Sequence, residues 1–542
     1  MRFILGLFVI AFSVPAHADW HVAESDNFVI YADDQAKDLQ AFGEALESYN
    51  AALNLLSKRE ATKPSPSNRL TIFVVGSQNE IGKLADDKSK TIAGFYIPRA
   101  GSSVAFVPDI RMRGRETDWS MTVLLHEYAH HYFISNTTIA MPRWVDEGAA
   151  EFFASAKFER DGGLSIGRPA RHRAAELAYA RDVSVEELVD PKLYEEKKGK
   201  RYDAFYGRAW ALYHYLYFSE SRTGQLHKYL EGMSNGVDQV EAAEQAFGDL
   251  GDLQKDLDRY LDQRRIKVWN LGADVLTSNP VRVSKLSQGE ADVMPLRIRS
   301  QRGVSREQAL ELLPQVQKVA AEFPRNAAVL AALAEAEHDA GNFDQAIAAA
   351  DAALAIDPTA KNALVQKGFA LFAKAAEADD EDAAYSAAMK PFSALNRLEN
   401  DHPLPLIYYY LSFEQRGVEP DETARHALER AAQLSPFDRS LAMRAGLMQA
   451  REGKIELARH TLGPVATNPH GGNMASEAQR FIDQMEGVPE GTEWSPRPVL
   501  DLAEAIVAST SDDNAEEIKR QLSQKRDDWD VLDILPSEVI PE

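Results

Sequence analysis

Cysteine is absent from all 542 residues. No disulfide can staple the chain, no thiolate can act as nucleophile, and no cysteine is there to accept a lipid anchor. Basic residues are in short supply, with 60 Lys and Arg against 83 Asp and Glu and a formal net charge of −23. Phosphate backbones need clustered cations, so a nucleic-acid partner is excluded and adhesion to anionic lipid is disfavoured. Phosphate loops, dinucleotide fingerprints and G-x-S-x-G elbows are also missing. After the first 18 residues no long apolar run remains, so the mature chain is expected to be soluble, with no stable membrane anchor. What is present is ordinary for soluble domains: 45% hydrophobic and 26% charged residues, in a length that suits two or three domains.

The amino terminus reads as an export signal. Arg2 gives a positive start, Phe3 to Phe12 an apolar core, and Ala16-His17-Ala18 a small-x-small cleavage site. Cleavage after Ala18 predicts a periplasmic or secreted bacterial protein, with an uncleaved anchor as the alternative. Between 19 and about 110 strands and helices mix. Asn27–Tyr31 and Leu70–Val75 read as strands, Gln35–Leu56 as a helix, and Ala93–Ile97 with Ser103–Val107 as a hairpin. Spacing from 117 to about 265 is helical, with loops near 135–143 and 160–168. The expected division is a signal peptide at 1–18, an α+β domain at 19–270, a linker at 271–303 carrying Pro280, Gly289 and Pro295, a helical domain at 304–480 and an acidic tail at 481–542.

The helical domain repeats. Pro324 and Pro358 lie 34 residues apart, and Pro436 and Pro469 lie 33 apart. The unit 327–358 places Leu330 and Leu333 on a first helix, Gly341-Asn342-Phe343 at a turn, and Ala346 and Ala353 on a second helix. Units at 405–436 and 439–469 follow the same plan, and one starting at Leu364 is interrupted by the acidic run 377–382. Small alanines let paired helices sit close, and each pair buries its face on the next. The period and these positions resemble tetratricopeptide repeats, with an unrelated helical bundle as the alternative. A protein partner or substrate on the stacked helices is what that resemblance implies.

The chemistry concentrates in Leu125-His126-Glu127-Tyr128-Ala129-His130. On a helix, imidazoles four apart project from one face and can take two corners of a tetrahedral zinc site. Glu127 then stands beside the open position, where it can accept a proton from water and deliver it to a leaving amine. Val123, Leu124, Tyr128 and Phe133 form the face that holds the helix in a core, and Thr117 and Asp118 offer caps. Two surface histidines on an ordinary helix are the bland alternative, which the burying leucines oppose. His131 points off the metal face and reads as structural or exposed.

Downstream runs Trp144-Val145-Asp146-Glu147-Gly148-Ala149-Ala150-Glu151-Phe152. With the upstream motif, this resembles the gluzincin zinc metallopeptidases, whose sequences run H-E-x-x-H and then W-x-x-E-G-x-A-E-[FY]. The resemblance covers roughly 20–265 and implies a zincin-like α+β fold. It implies Glu147 as third zinc ligand, with Asp146 as the rival, and Gly148 at a close helix approach. It implies Glu151 as the carboxylate that fixes a ligand histidine. It also implies a tyrosine that donates to the oxyanion, first Tyr206 and then Tyr202, with core packing as the alternative. No G-x-M-E-N signature precedes the motif, so chain-end trimming is not supported. The hairpin at 101–107 is expected to offer an edge strand to an extended peptide. The resulting expectation is an exported zinc endopeptidase, with Zn2+ as cofactor, a peptide or protein substrate and a repeat module. The rival is a non-catalytic periplasmic repeat scaffold or chaperone with a vestigial metal site.

Overall fold

The computed structural model describes residues 19–60, 62–86, 92–109, 118–137, 139–199 and 201–496. The export signal at 1–18 and the tail from 497 onward lie outside the described residues, as does Thr117.

Apolar, largely β-branched and aromatic runs build the first layer. Strands β1 (Trp20–Glu24), β2 (Phe28–Asp33), β3 (Leu70–Val74), β4 (Phe95–Ile97) and β5 (Val104–Val107) pair in the order β4-β5-β3-β2-β1. The β2–β3 and β3–β5 pairs are parallel, and β4–β5 and β1–β2 are antiparallel. One face is covered by the helix Ala36–Leu56, whose Leu39, Phe42, Leu46, Tyr49 and Leu53 recur at helical spacing and are all buried. The motif helix, Trp119–Asn136, packs against it. Asp118 caps its start by accepting the Met121 N–H at 2.8 Å. Three phenols tie the two helices. Tyr49 donates to the Leu125 carbonyl, Tyr128 to Asn50 Oδ1 and Tyr132 to Asn54 Oδ1, at 2.9–3.1 Å. Each buried hydroxyl thus finds its acceptor, for a net gain of about 1 kcal/mol apiece.

The region 117–265 is mostly helical, as its spacing predicts, with one departure. Strands β6 (Lys157–Phe158) and β7 (Leu164–Ile166) form a hairpin where a loop is expected. The Asp161-Gly162-Gly163 turn allows it, with Gly162 at φ +84°. Strand β8 (Trp269–Leu271) adds to β7.

The segment 271–303, expected as a linker with some extended structure, holds a strand and a helix. Strand β9 (Arg282–Lys285) pairs antiparallel with β1 and becomes the sheet edge. The helix Gln288–Gln301 lays Ala291, Met294 and Ile298 on the second sheet face, against Trp20, Phe73 and Phe106. Pro295 sits within that helix, which is why its sequence reads as broken.

From there helices pair in series, confirming a tetratricopeptide-like helical repeat region. Gln288–Gln301 pairs with Arg306–Glu322, Ala327–Asp339 with Phe343–Ile356, and Lys361–Ala375 with Glu381–Leu398. Pro403–Glu414 then pairs with Glu422–Leu434 and Arg439–Arg451 with Ile455–Ala466, and Gly472–Gln484 closes the array. Close approach is literal here: a Cβ on Gly368 would lie 2.6 Å from Phe392, and one on Gly446 would lie 2.7 Å from Leu462. The acidic run 377–382 is the turn of its pair, where Asp380 caps the second helix and Glu381 and Asp382 face its positive end. Packing also continues past 480 into the expected tail, where Trp494 is buried against Phe481 and donates its backbone N–H to the Ala450 carbonyl at 3.0 Å. No helix among the described residues is long and apolar enough to cross a membrane.

The array curls back onto the α+β part. Glu399 accepts the Ser67 N–H at 2.8 Å, Asn68 Nδ2 donates to the Leu434 carbonyl at 2.7 Å, and Asp438 accepts the Ala100 N–H at 2.9 Å.

Candidate functional site

Two antiparallel helices position the site. After the motif helix the chain turns through 137–142 into a second helix, Arg143–Ala154, whose side chains from Trp144 to Ala154 are all buried. Its Gly148 presses on the helix Phe205–Phe218 so closely that a Cβ there would lie 2.5 Å from the Ala209 carbonyl oxygen. The close approach expected at this glycine is present.

The three residues predicted as ligands converge. His126 Nε2 and His130 Nε2 are 3.0 Å apart, and each stands 3.4 Å from Glu147 Oε2. They are the described residues whose ligand atoms cluster as a metal-holding group. Exposure of their side chains is 12%, 7% and 0%, so only His126 has appreciable contact with solvent. Both Glu147 oxygens are buried without a hydrogen bond. A buried carboxylate with bare lone pairs, facing two imidazole nitrogens, fits a cation in the gap.

Each imidazole has a carboxylate behind it. Asp146 Oδ1 meets His130 Nδ1 at 2.9 Å, so Asp146, the rival ligand, lies on the outer nitrogen and leaves the inner position to Glu147. Glu151 Oε1 lies 3.4 Å from His126 Nδ1. Glu151 also accepts from Arg173 Nε and Nη2 at 2.9 and 2.7 Å and is held by His172. Burial opposes charge on Glu147 and Glu151, but the imidazoles and, for Glu151, Arg173 outweigh it and keep both far below the usual carboxylate range. Burial would lower His126, yet the two glutamates outweigh it and raise it to about 9.

Glu127 makes no hydrogen bond or ion pair among the described residues. Tyr206 lies near Glu147, whose charge is the largest influence raising its hydroxyl, followed by burial; the phenol therefore stays protonated. Its ring carries the Arg173 guanidinium at 4.6 Å. Tyr202 is taken away from the site, 67% exposed and donating to Glu176 at 2.9 Å. His131 is buried and bonded to the Tyr96 hydroxyl at 2.6 Å, a structural role. The expected edge at 101–107 is corrected: β5 is interior, paired to β3 and β4, and the edge at that end is β4, which carries Tyr96.

Sequence reasoning missed Asp146 as an orienting group, the His172–Arg173 support of Glu151, and His470. That histidine comes from the repeat array, and its Nε2 lies 3.2 Å from Glu147 Oε1. Asp146 had a readable signal, its place beside Glu147; no local pattern marks the others.

A family profile described as "Protein of unknown function (DUF1570)" matches residues 120–237. That segment holds His126, Glu127, His130, Glu147, Glu151 and Tyr206 but neither Tyr96 nor His470. No curated protein matches the chain. Among solved structures, MamA from Desulfovibrio magneticus RS-1 (41 to end) is 18% identical, over 36% of this chain and 95% of that one, with a TM-score of 0.25. TTC0263, a thermophilic TPR protein of Thermus thermophilus, is 14% identical over 36% of this chain and 98% of its own, with a TM-score of 0.30. Yeast Tom70 is 15% identical over 50% and 65%, with a TM-score of 0.24.

Proposed function

We propose that the chain is an exported zinc-dependent peptidase of gluzincin type, cleaving within peptide chains, with a zincin-like α+β domain and a repeat array for a protein partner or substrate. The observation that carries the reading is the triangle of His126 Nε2, His130 Nε2 and Glu147 Oε2, with edges of 3.0, 3.4 and 3.4 Å. Ligands about 2.0–2.1 Å from one tetrahedral centre stand about 3.3 Å from each other. Two nitrogens and one carboxylate oxygen with a free fourth position favour zinc. When bound, zinc would supply Lewis acidity to a water and to the substrate carbonyl.

The remaining work falls to side chains. Glu127, one residue past the first ligand and free of competing partners among the described residues, takes the proton of the attacking water and passes it to the leaving amine. Asp146 and Glu151 fix the tautomers so that both Nε2 lone pairs face inward. Tyr206, kept protonated, donates to the developing oxyanion. Export rests on Arg2, the apolar run after it and the Ala16-His17-Ala18 site.

The Glu127→Gln variant tests this. It is expected to bind zinc as the parent does while cleavage of casein or an extended peptide falls by about 10²–10⁴-fold. A second reading, a structural metal site in a non-catalytic scaffold, is favoured by the full burial of Glu147 and the seating of the array around the site. A zinc-loaded parent chain that cleaves no peptide would decide for it.

A further inference from the structure

The two oxygens of Glu147 face different parts of the molecule. Oε2 looks at the histidine pair of its own domain, while Oε1 looks at His470. His470 lies between Ile455–Ala466 and Gly472–Gln484, at the far end of the array. Its ring stands edge-on to His130, with centroids 5.7 Å apart at 84°, and its Nε2 is buried with no hydrogen bond of its own. The helix before its loop, and the turn that opens that helix pair, both rest on the α+β part. A Cβ on Gly463 would lie 3.2 Å from Ala140, in the turn joining the two site helices. Phe437 packs on His131 with centroids 4.7 Å apart, and Asp438 accepts the Ala100 N–H at 2.9 Å.

A carboxylate that binds metal through one oxygen is free to turn about its last carbon–carbon bond unless its second oxygen is held. His470 Nε2 lies 3.2 Å from that second oxygen, at ion-pair distance. We propose that His470 is a positioning residue for the third zinc ligand, delivered in cis by the repeat array, so that docking of the array and retention of zinc are thermodynamically linked. The inference rests on the zinc reading of the triad. Linkage is reciprocal: whatever docking adds to zinc affinity, zinc adds to docking. The repeat array is then a part of the metal site as well as a module attached to it.

The test uses the full chain and reads zinc affinity by competition with a chromophoric chelator. His470→Ala is expected to weaken zinc about 10–100-fold with far-ultraviolet circular dichroism unchanged. His470→Gln, whose amide nitrogen falls near the place of Nε2, is expected to restore most of that loss. Gly463→Trp, which wedges the array from Ala140 while keeping His470, is expected to weaken zinc as well. Zinc should slow hydrogen exchange across 463–470 in the parent and not in His470→Ala. If His470→Ala binds as the parent does while Glu147→Ala loses zinc, the inference is overturned and the triad stands. If Glu147→Ala and His126→Ala both bind as the parent does, the zinc reading itself fails. A Gln variant as weak as the Ala variant would mean that the ring only fills space, and that too overturns the inference.

Discussion

Replacing Gly148 with alanine isolates the helix contact on which the site is built. In a helix interior, Gly→Ala should stabilise by about 0.8–1 kcal/mol through propensity alone. At this position the new methyl would lie 2.5 Å from the Ala209 carbonyl oxygen, 2.9 Å from its carbon and 3.0 Å from Tyr213 Cβ. The first two atoms are backbone and cannot rotate aside, so the helix Arg143–Ala154 must retreat by about 0.8 Å from Phe205–Phe218. Overpacking of this kind costs about 1–3 kcal/mol, or somewhat more against backbone. The net is a destabilisation of about 1.5 kcal/mol, a fall in Tm of about 3–6 °C. The same retreat carries Glu147, next in the chain, and metal sites tolerate ligand shifts of only about 0.2 Å. Zinc affinity should therefore fall at least about tenfold. Scanning calorimetry of the metal-free chain and a chelator titration read the two effects separately. A Gly148→Ala chain that melts at or above the parent temperature and holds zinc equally well would refute the packing argument.

Three further outcomes are expected. Asp146→Asn leaves His130 Nδ1 without its carboxylate, so zinc affinity should drop about 10–100-fold in the same titration; equal affinity would show that the 2.9 Å contact does not orient the ligand. A chain ending at residue 270 loses β9 and the cover over Trp20, Phe73 and Phe106, so it should bind a hydrophobic dye and unfold in less urea than the full chain; an unchanged midpoint would restore the linker reading of 271–303. Burial lowers the His214 imidazole to about 4, and its Nε2 bonds the Gly167 carbonyl while Tyr260 meets its Nδ1. The unfolded value is about 6.5, so the folded chain binds fewer protons between these values; the stability is full above pH 6.5 and about 3 kcal/mol of it is lost as pH falls to about 4. The urea midpoint of His214→Asn should drop less over that range than the parent's, and an equal drop would refute the assignment.

What could be read in advance followed local periodicity. The strands at 28–33 and 70–74, the helix at 36–56 and the repeat pairs all carry their signal within one segment. The motif and the glutamate segment were likewise legible, because ligand spacing on a helix is a property of a few consecutive residues. The errors came where tertiary packing overrode a local cue. Pro295 and Gly289 mark a break, yet burial of Met294 and Ile298 on the sheet keeps the helix intact. The run 377–382 looks like an insertion because its charges suit solvent, while its work is to cap a helix. Tyr202 and Tyr206 are indistinguishable as letters. Four positions on, in a helix that starts at Phe205, Tyr206 turns toward Glu147 while Tyr202 stays before the helix and faces outward.

Stacked helix pairs usually offer their inner face to a partner. Here groups at the starts of successive pairs, Glu399 and His402 before one and Phe437 and Asp438 before the next, meet Ser67, Gly101, His131 and Ala100 of the α+β part. That stretch of the array is already occupied by its own chain, and the first helix, Gln288–Gln301, belongs to the sheet's second face. A partner that competed for the same surface would have to lift Phe437 off His131 and His470 off Glu147. Partner binding there and the state of the candidate metal site would then be coupled through one interface, whereas a partner on a surface away from these contacts would leave the site untouched. The two cases separate by whether zinc changes the affinity of the array for whatever it binds.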